Sequence, residues 1–290
     1  MNKTIAMLHP GEMGAAIGAG LVARGLRVVW ASAGRGTATC ERAENAGLED
    51  VGTLARAAQA ADIVFSVCPP HAALEAARAV AGCGFRGVYV DANAISAETT
   101  REVGRMVEAA GASYVDAGII GPPPIPGASV RLYVCGSRRA EIAPLFEGCI
   151  MQAVALEGPV GAASALKVCY AAWNKGATAL LAGIRALAQQ EGVDAALLEE
   201  WKISLPDIPK RSEMVTASAR KAWRWIAEME EIAASFEAAG LPAGFHLASA
   251  DIYRRLEGFK GAVKPPALSE VTAALSRKPQ GPSSARQNGE

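Results

Sequence analysis

This 290-residue chain lacks CxxC cysteine pairs, clustered histidines, an excess of either charge and long apolar runs. Its six cysteines, at 40, 68, 83, 135, 149 and 169, are scattered and do not cluster with the three histidines. That spacing argues against zinc and against a disulfide framework. No metal is expected, and the pattern fits reduced thiols in a cytoplasm. Lys plus Arg and Asp plus Glu number 29 each, so charge gives no reason to expect a nucleic acid or an anionic membrane as partner. No stretch approaches the roughly 20 uninterrupted apolar residues of a membrane span. The opening residues carry too short an apolar run for a signal peptide and already pattern as a strand. A cytoplasmic location is the expectation. What the chain does have is apolar material, 51% of its residues, enough for one large domain or two ordinary ones.

Short β-branched runs at 4–8, 27–31, 62–67, 87–91, 113–115, 130–134 and 152–156 alternate with alanine-rich stretches. Helices are predicted over 13–24, 72–81, 97–109 and 140–146. This is the pattern of βαβ units around a parallel sheet. After residue 158 the strand signal stops, and 162–190 reads as one long helix with no proline. Further helices are predicted over 194–201, 214–239, 244–256 and 269–275, with 202–210, which contains two prolines, as a connection. The expected fold class is an α/β Rossmann domain followed by an all-α domain. The expected limits are 1–157 for NADP binding, 158–276 for substrate binding and dimerisation, and 277–290 as a disordered tail.

The most informative segment is Ile5-Ala-Met-Leu-His9-Pro10-Gly11-Glu12-Met13-Gly14. An apolar strand enters a turn with glycines three apart, and a helix opens at once. Gly11 would admit a pyrophosphate close to the backbone, and Gly14 would allow the helix to pack on the strand. Free amides and the helix dipole then favour the anion. The first glycine of a GxGxxG motif is absent, because His9 stands there, and the same residues also fit a plain β-to-α turn. At the end of the second strand, where NAD binders commonly carry an acid, the chain reads Ala31-Ser32-Ala33-Gly34-Arg35. Ser32 and Arg35 suit a 2′-phosphate, which points to NADP(H); a solvated loop arginine is the alternative.

With these residues in view, the chain resembles the β-hydroxyacid dehydrogenase / 6-phosphogluconate dehydrogenase-like superfamily, which includes 3-hydroxyisobutyrate dehydrogenases and imine reductases. Within it, the chain looks like a branch with an HPGxMG turn and a C-terminal domain of poorly defined substrate. The likeness runs over residues 3–257. The family's GLGxMG turn corresponds to residues 9–14, its nicotinamide-side loop to Ser66-Val67-Cys68-Pro69-Pro70, and its Asp-x-(Ser/Asn) element to Asp91-Ala92-Asn93. The family's catalytic lysine corresponds to Lys167, at the end of Gly158-Pro-Val-Gly161-Ala-Ala-Ser-Ala-Leu-Lys167. The resemblance implies that Lys167 acts as general acid/base, that Cys68, Pro69, Pro70 and Asn93 hold the nicotinamide, and that two subunits interlock through their C-terminal helices. By itself, Lys167 in an apolar helix also fits a snorkelling surface lysine.

The chain departs from the family at several positions. An asparagine expected four residues after the lysine is Ala171. Tyr170 and Asn174 share that helix face and could supply the missing hydrogen bond. The substrate loop DAPVSGG corresponds to Asp116–Pro122, which puts Ile120 before Gly121 in place of a serine, and a later Lys-Asp pair corresponds to Ala227-Glu228. Arg131 suits a carboxylate clamp or a surface ion pair; His246 suits a substrate contact, packing or capping. The implied function is an NADP-dependent oxidoreductase acting on a small hydroxy or carbonyl compound. An imine reductase is the alternative. A non-catalytic NADP-binding protein, its cleft filled by Ile119, Ile120 and Pro122–Pro124, is a third.

Overall fold

The computed structural model describes residues 3–276, so the tail expected at 277–290 lies outside the described residues. In chain order the first unit contains β1 (Thr4–Met7), α1 (Glu12–Ala23), β2 (Arg27–Trp30), α2 (Thr37–Asn45), β3 (Glu49–Asp50), α3 (Leu54–Ala60), β4 (Ile63–Ser66), α4 (Ala73–Gly82) and β5 (Val88–Asp91). It continues with α5 (Ala97–Ala109), β6 (Ser113–Ile120), β7 (Val130–Cys135), α6 (Arg139–Ile142), β8 (Met151–Ala155) and the start of α7 (Ala162–Gln190). The second holds the rest of α7, then α8 (Asp194–Ser204), α9 (Ile208–Ala219), α10 (Trp225–Ala238), α11 (Gly244–Arg255) and α12 (Leu268–Ser276). The boundary between the two compact units falls at Tyr170/Ala171, inside α7.

Among the described residues, the strands form one sheet in the order β3-β2-β1-β4-β5-β6-β7-β8. The period-2 geometry of a strand sorts its side chains onto two faces. Ile5, Met7, Val28, Trp30, Ile63, Phe65, Val88 and Val90 enter one core, while Ala6, Val29, Val64, Tyr89 and Tyr114 enter the other. Both faces are therefore covered, which is why the central strands read as continuous apolar runs rather than as alternation.

The structure corrects several expectations. Helix α2, strand β3 and helix α3 were not predicted. β3 is two exposed acidic residues with no apolar pattern, and α3 is a short alanine-rich turn capped by Thr53, whose side chain accepts from Arg56 N. Strand β6 runs through to Ile120 instead of stopping at 115, because Asp116 and Gly118, which read as strand terminators, are buried within it. The sheet is not wholly parallel: β7 runs antiparallel to β6. The nine residues 121–129 are too few for the crossover that a parallel neighbour requires. The connection predicted over 202–210 is largely helical, since α8 reaches Ser204 and α9 begins at Ile208 with Pro209 in its first turn, where its missing N–H is no loss. The helix predicted over 214–239 is broken at 220–224 with no glycine or proline to mark it. There the Arg220 guanidinium donates to the carbonyls of Ala262 and Val263.

Candidate active site

The strand order reverses between β1 and β4, and ligands of open α/β sheets bind at such a switch point, beyond the carboxyl ends of the strands. Here β1 gives way to His9-Pro10-Gly11, and Gly11 occupies the N-cap of α1 with extended backbone and no side-chain cap. The first turn of a helix leaves amides without intrahelical acceptors, so an uncapped turn at this place is open to an anion. The two glycines differ in what they do. A Cβ on Gly14 would lie 2.3 Å from the His9 carbonyl oxygen, so Gly14 is required for the helix to pack on the strand. A Cβ on Gly11 would meet nothing within 4 Å; the space in front of it is empty of protein.

Beside this turn lies a cleft of about 420 Å³, lined by Leu8, His9, Ala31, Arg35, Ala57 and Ala76 among others. His9 Nδ1 is buried without a hydrogen-bond partner. Burial, and then the positive charge of Arg35, push the imidazole down to about 4, so it is neutral at pH 7. Ser32 follows β2 as expected, but its amide donates to Asp50 Oδ1 at 3.2 Å, an acid brought in by β3 that the sequence reading missed. The same carboxylate accepts from Gly52 N at 2.8 Å, and the Ser32 and Gly52 contacts hold it below the usual range.

The loop after β4 carries Cys68, Pro69 and Pro70. Burial pushes the half-buried Cys68 thiol up to about 11, so it stays protonated. Asn93, expected to touch the nicotinamide, is 1% exposed, and both ends of its carboxamide are engaged. Oδ1 accepts from Cys68 N at 2.6 Å and Nδ2 donates to Ser66 Oγ at 3.1 Å. It braces the loop from beneath.

Ser66, Asp91, Asp116 and Cys135 are register partners across β4, β5, β6 and β7, and all four are buried. This polar row was not read from the sequence, although an acid inside an apolar strand run is its signal. Asp91 accepts from Asn93 N and from Tyr114 OH. Burial raises its carboxyl to about 6, those two contacts opposing the shift and the neighbouring Asp116 charge adding to it.

Lys167 lies in the second turn of α7 and is half-buried. Gly118 of β6 faces it. A Cβ there would stand 2.5 Å from the Ala163 carbonyl oxygen and 3.4 Å from Lys167 Cβ, so the helix rests directly on the strand. Tyr170, one turn on, is exposed, and Asn174 lies further along the same helix with its carbonyl accepting from Thr178 Oγ1. Ile120 is buried at the end of β6, opposite Arg131 of β7. Gly121 takes a φ of +130°, and a Cβ there would approach Ser129 O to 2.6 Å, so it makes the exit from β6. Arg131 is half-buried, with NH1 3.5 Å from Ser129 Oγ.

In the second unit, His246 is buried between the rings of Phe236 and Phe245, at 4.3 and 5.5 Å, and its Nδ1 has no partner. Burial lowers its pKa. Glu228, which lacks a lysine at its neighbour Ala227, is paired instead with Lys175 of α7, whose ammonium also lies over the Trp225 ring.

An uncapped helix at the switch point of a doubly wound sheet is where such folds bind the phosphates of a nucleotide. Residues 4–142 match the NAD binding domain of 6-phosphogluconate dehydrogenase, and residues 188–256 match a domain of unknown function, DUF1932. The chain carries matches to these two domains in that order. Among solved structures it is similar to the conserved protein MTH1747, described as structurally similar to 3-hydroxyacid dehydrogenases. That likeness has 26% identity and a TM-score of 0.72, covering 88% of this chain and 97% of that one. The fold is also that of a Mycobacterium tuberculosis 3-hydroxyisobutyrate dehydrogenase, at 20% identity and TM-score 0.75, covering 96% and 100% of the two chains. A reductive aminase from Aspergillus terreus shares it at 18% identity and TM-score 0.56, covering 93% and 98%. No curated protein matches the sequence. The domain match supports a nicotinamide dinucleotide as coenzyme and an oxidoreductase as the class of activity.

Proposed function

We propose that the chain is an NADP(H)-dependent oxidoreductase acting on a small hydroxy or carbonyl compound, with Lys167 as general acid/base. The observation that carries this reading is the uncapped N-terminus of α1 at Gly11, with clear space before the glycine and the cleft beside it. The residues present fit the coenzyme. His9 offers an unpartnered ring nitrogen, Arg35 a guanidinium for a 2′-phosphate, and the alanines of the cleft an apolar wall. Pro10, Glu12 and Met13 complete the turn, and Cys68, Pro69 and Pro70, braced by Asn93, form the loop for the nicotinamide end. When bound, the coenzyme supplies or accepts the hydride.

Lys167 then holds the proton exchanged at the substrate oxygen, and Tyr170 and Asn174 orient the substrate along the same helix. Ile120, Gly121, Arg131 and His246 are the proposed substrate-side residues. Residues 1–157 serve as the nucleotide-binding domain and 158–276 as the substrate and dimerisation domain. Two copies associate through α7, whose Trp173, Leu180 and Leu187 recur every seven residues and are 64%, 46% and 59% exposed. A cytoplasmic setting suits the free thiols.

Calorimetric titration with NADPH and NADH tests the coenzyme. The expected result is binding with a clear preference for NADPH, and no heat with either at millimolar levels would remove the reading. A Lys167→Ala variant should bind NADPH normally and lose about 10²-fold or more in turnover. A second reading, reduction of a C=N bond, is favoured by Ile120, a buried apolar side chain where the resemblance places a carboxylate-binding serine. Parallel assays of ketones and cyclic imines separate the two.

A further inference from the structure

Helix α7 follows Gly158-Pro-Val-Gly161, which offers no Ser, Thr, Asp or Asn as a local N-cap. The cap comes instead from β6. Asp116 Oδ2 accepts from the amides of Gly161, Ala163 and Ser164 at 2.9, 2.9 and 3.2 Å, and Oδ1 accepts from Ser164 Oγ at 2.6 Å. Cys135 Sγ donates to Oδ2 as well, at 3.1 Å. The Ser164 hydroxyl accepts in turn from Thr100 Oγ1 at 2.8 Å, which ties the arrangement to α5. Asp116 is 0% exposed. Two residues further along the same strand, on the same face, Gly118 lets the Ala163 carbonyl and Lys167 Cβ approach the backbone.

We infer that Asp116 is the positioning residue for Lys167: its carboxylate fixes the rotation and depth of the first turn of α7 and favours the ammonium form of the lysine. This deepens the reading of Lys167 as acid/base and rests on it. Lys167 stands three residues after Ser164, one turn from the anchored amides. A negative charge at this helix end cancels the positive partial charge that would disfavour a nearby cation. Gly161 has a φ of +101°, and a Cβ there would meet Ala97 O and the Arg101 guanidinium, both at 3.2 Å, so the entry to the helix is fixed from α5 too.

The other ionisable or charged groups around the carboxylate are Asp91 on β5, Tyr114 on β6, Cys135 on β7 and Arg101 on α5, with exposed Cys169 and Tyr170 on α7 itself. Burial raises Asp91 to about 6, Cys135 to about 11 and Tyr114 well above its ordinary value. Around pH 8.5, then, these three hold their charge states, and Asp116 can be tested there through Lys167.

The experiment is competitive acylation of Lys167, followed by mass spectrometry across pH, in wild type, Asp116→Asn and Ser164→Ala, alongside steady-state kinetics. Removing the charge in Asp116→Asn should lower the lysine's apparent pKa by about one unit. The matching limb of the kcat profile should move the same way, kcat should fall at least tenfold and NADPH affinity should hold. Ser164→Ala keeps the charge and removes one arm of the anchor, so kcat should fall with a smaller change in labelling; it carries the test if Asp116→Asn does not fold. Labelling of Lys167 that is unmoved in folded Asp116→Asn, or kcat unmoved in Ser164→Ala, overturns the assignment. A wild type that turns over no substrate would end the oxidoreductase reading and still leave the labelling comparison to decide the role of Asp116.

Discussion

Asp91 and Asp116 are register partners on adjacent parallel strands, both buried, and they are satisfied in different ways. Asp116 gathers the amides and hydroxyl that open α7, while Asp91 takes one amide and one phenol. One acid anchors a helix. The other carries the penalty of burial, to which the neighbouring carboxylate adds.

That penalty has a pH signature. The folded protein holds the Asp91 proton up to about 6, against 3.8 for the free group. Its contribution to stability is therefore fully present below pH 3.8 and is lost as pH rises through 6. Compared with Asp91→Asn, the wild type should lose about 2 kcal/mol of unfolding free energy between pH 4 and pH 7. Urea unfolding at the two pH values measures this, and curves that stay parallel would refute it.

His9 should titrate near 4 rather than 6.5 by NMR, because burial and Arg35 both oppose its charging. The unfolded chain takes up a proton as pH falls through 6.5 and the folded one does not, so this group costs stability between 6.5 and 4. Arg35→Ala should move the midpoint up. Adding NADP⁺ should raise it more than NAD⁺ does if Arg35 meets the 2′-phosphate; equal effects would count against NADP preference.

Alanine at the two glycines of the turn should separate folding from binding. Gly11→Ala meets no protein atom and should change stability by less than about 0.5 kcal/mol while weakening NADPH binding at least tenfold. Gly14→Ala drives a methyl into the His9 carbonyl and should destabilise the fold by about 1–3 kcal/mol. Thermal melts and coenzyme titrations on both variants read the two effects.

Replacing Leu180 and Leu187 together with glutamate places charge on the exposed stripe of α7. Sedimentation should change from dimer to monomer. Wild type that already sediments as a monomer would rule out the interface.

Local chemistry was legible in the sequence and distant chemistry was not. The His9–Gly14 turn could be read because its glycines act on residues within the same short segment. The central strands could be read because burial on both faces leaves continuous apolar runs. The bonds from Asn93 to Ser66 and Cys68, 27 and 25 residues away, leave no local trace. Asp116 meets the α7 amides 45 to 48 residues on, so its part in the helix entry appears only in three dimensions. At the break over 220–224 Arg220 reaches carbonyls at 262 and 263, and nothing in the segment's own composition marks it.

Strand β6 and the first turns of α7 lie wholly before Tyr170, so Lys167 and its anchor travel with the sheet when the chain is divided at that point. A hybrid in which everything from Ala171 onward is exchanged for the equivalent segment of a relative would inherit the lysine already seated. Recombination, in nature or at the bench, can then vary the helical half while Lys167 stays where it was.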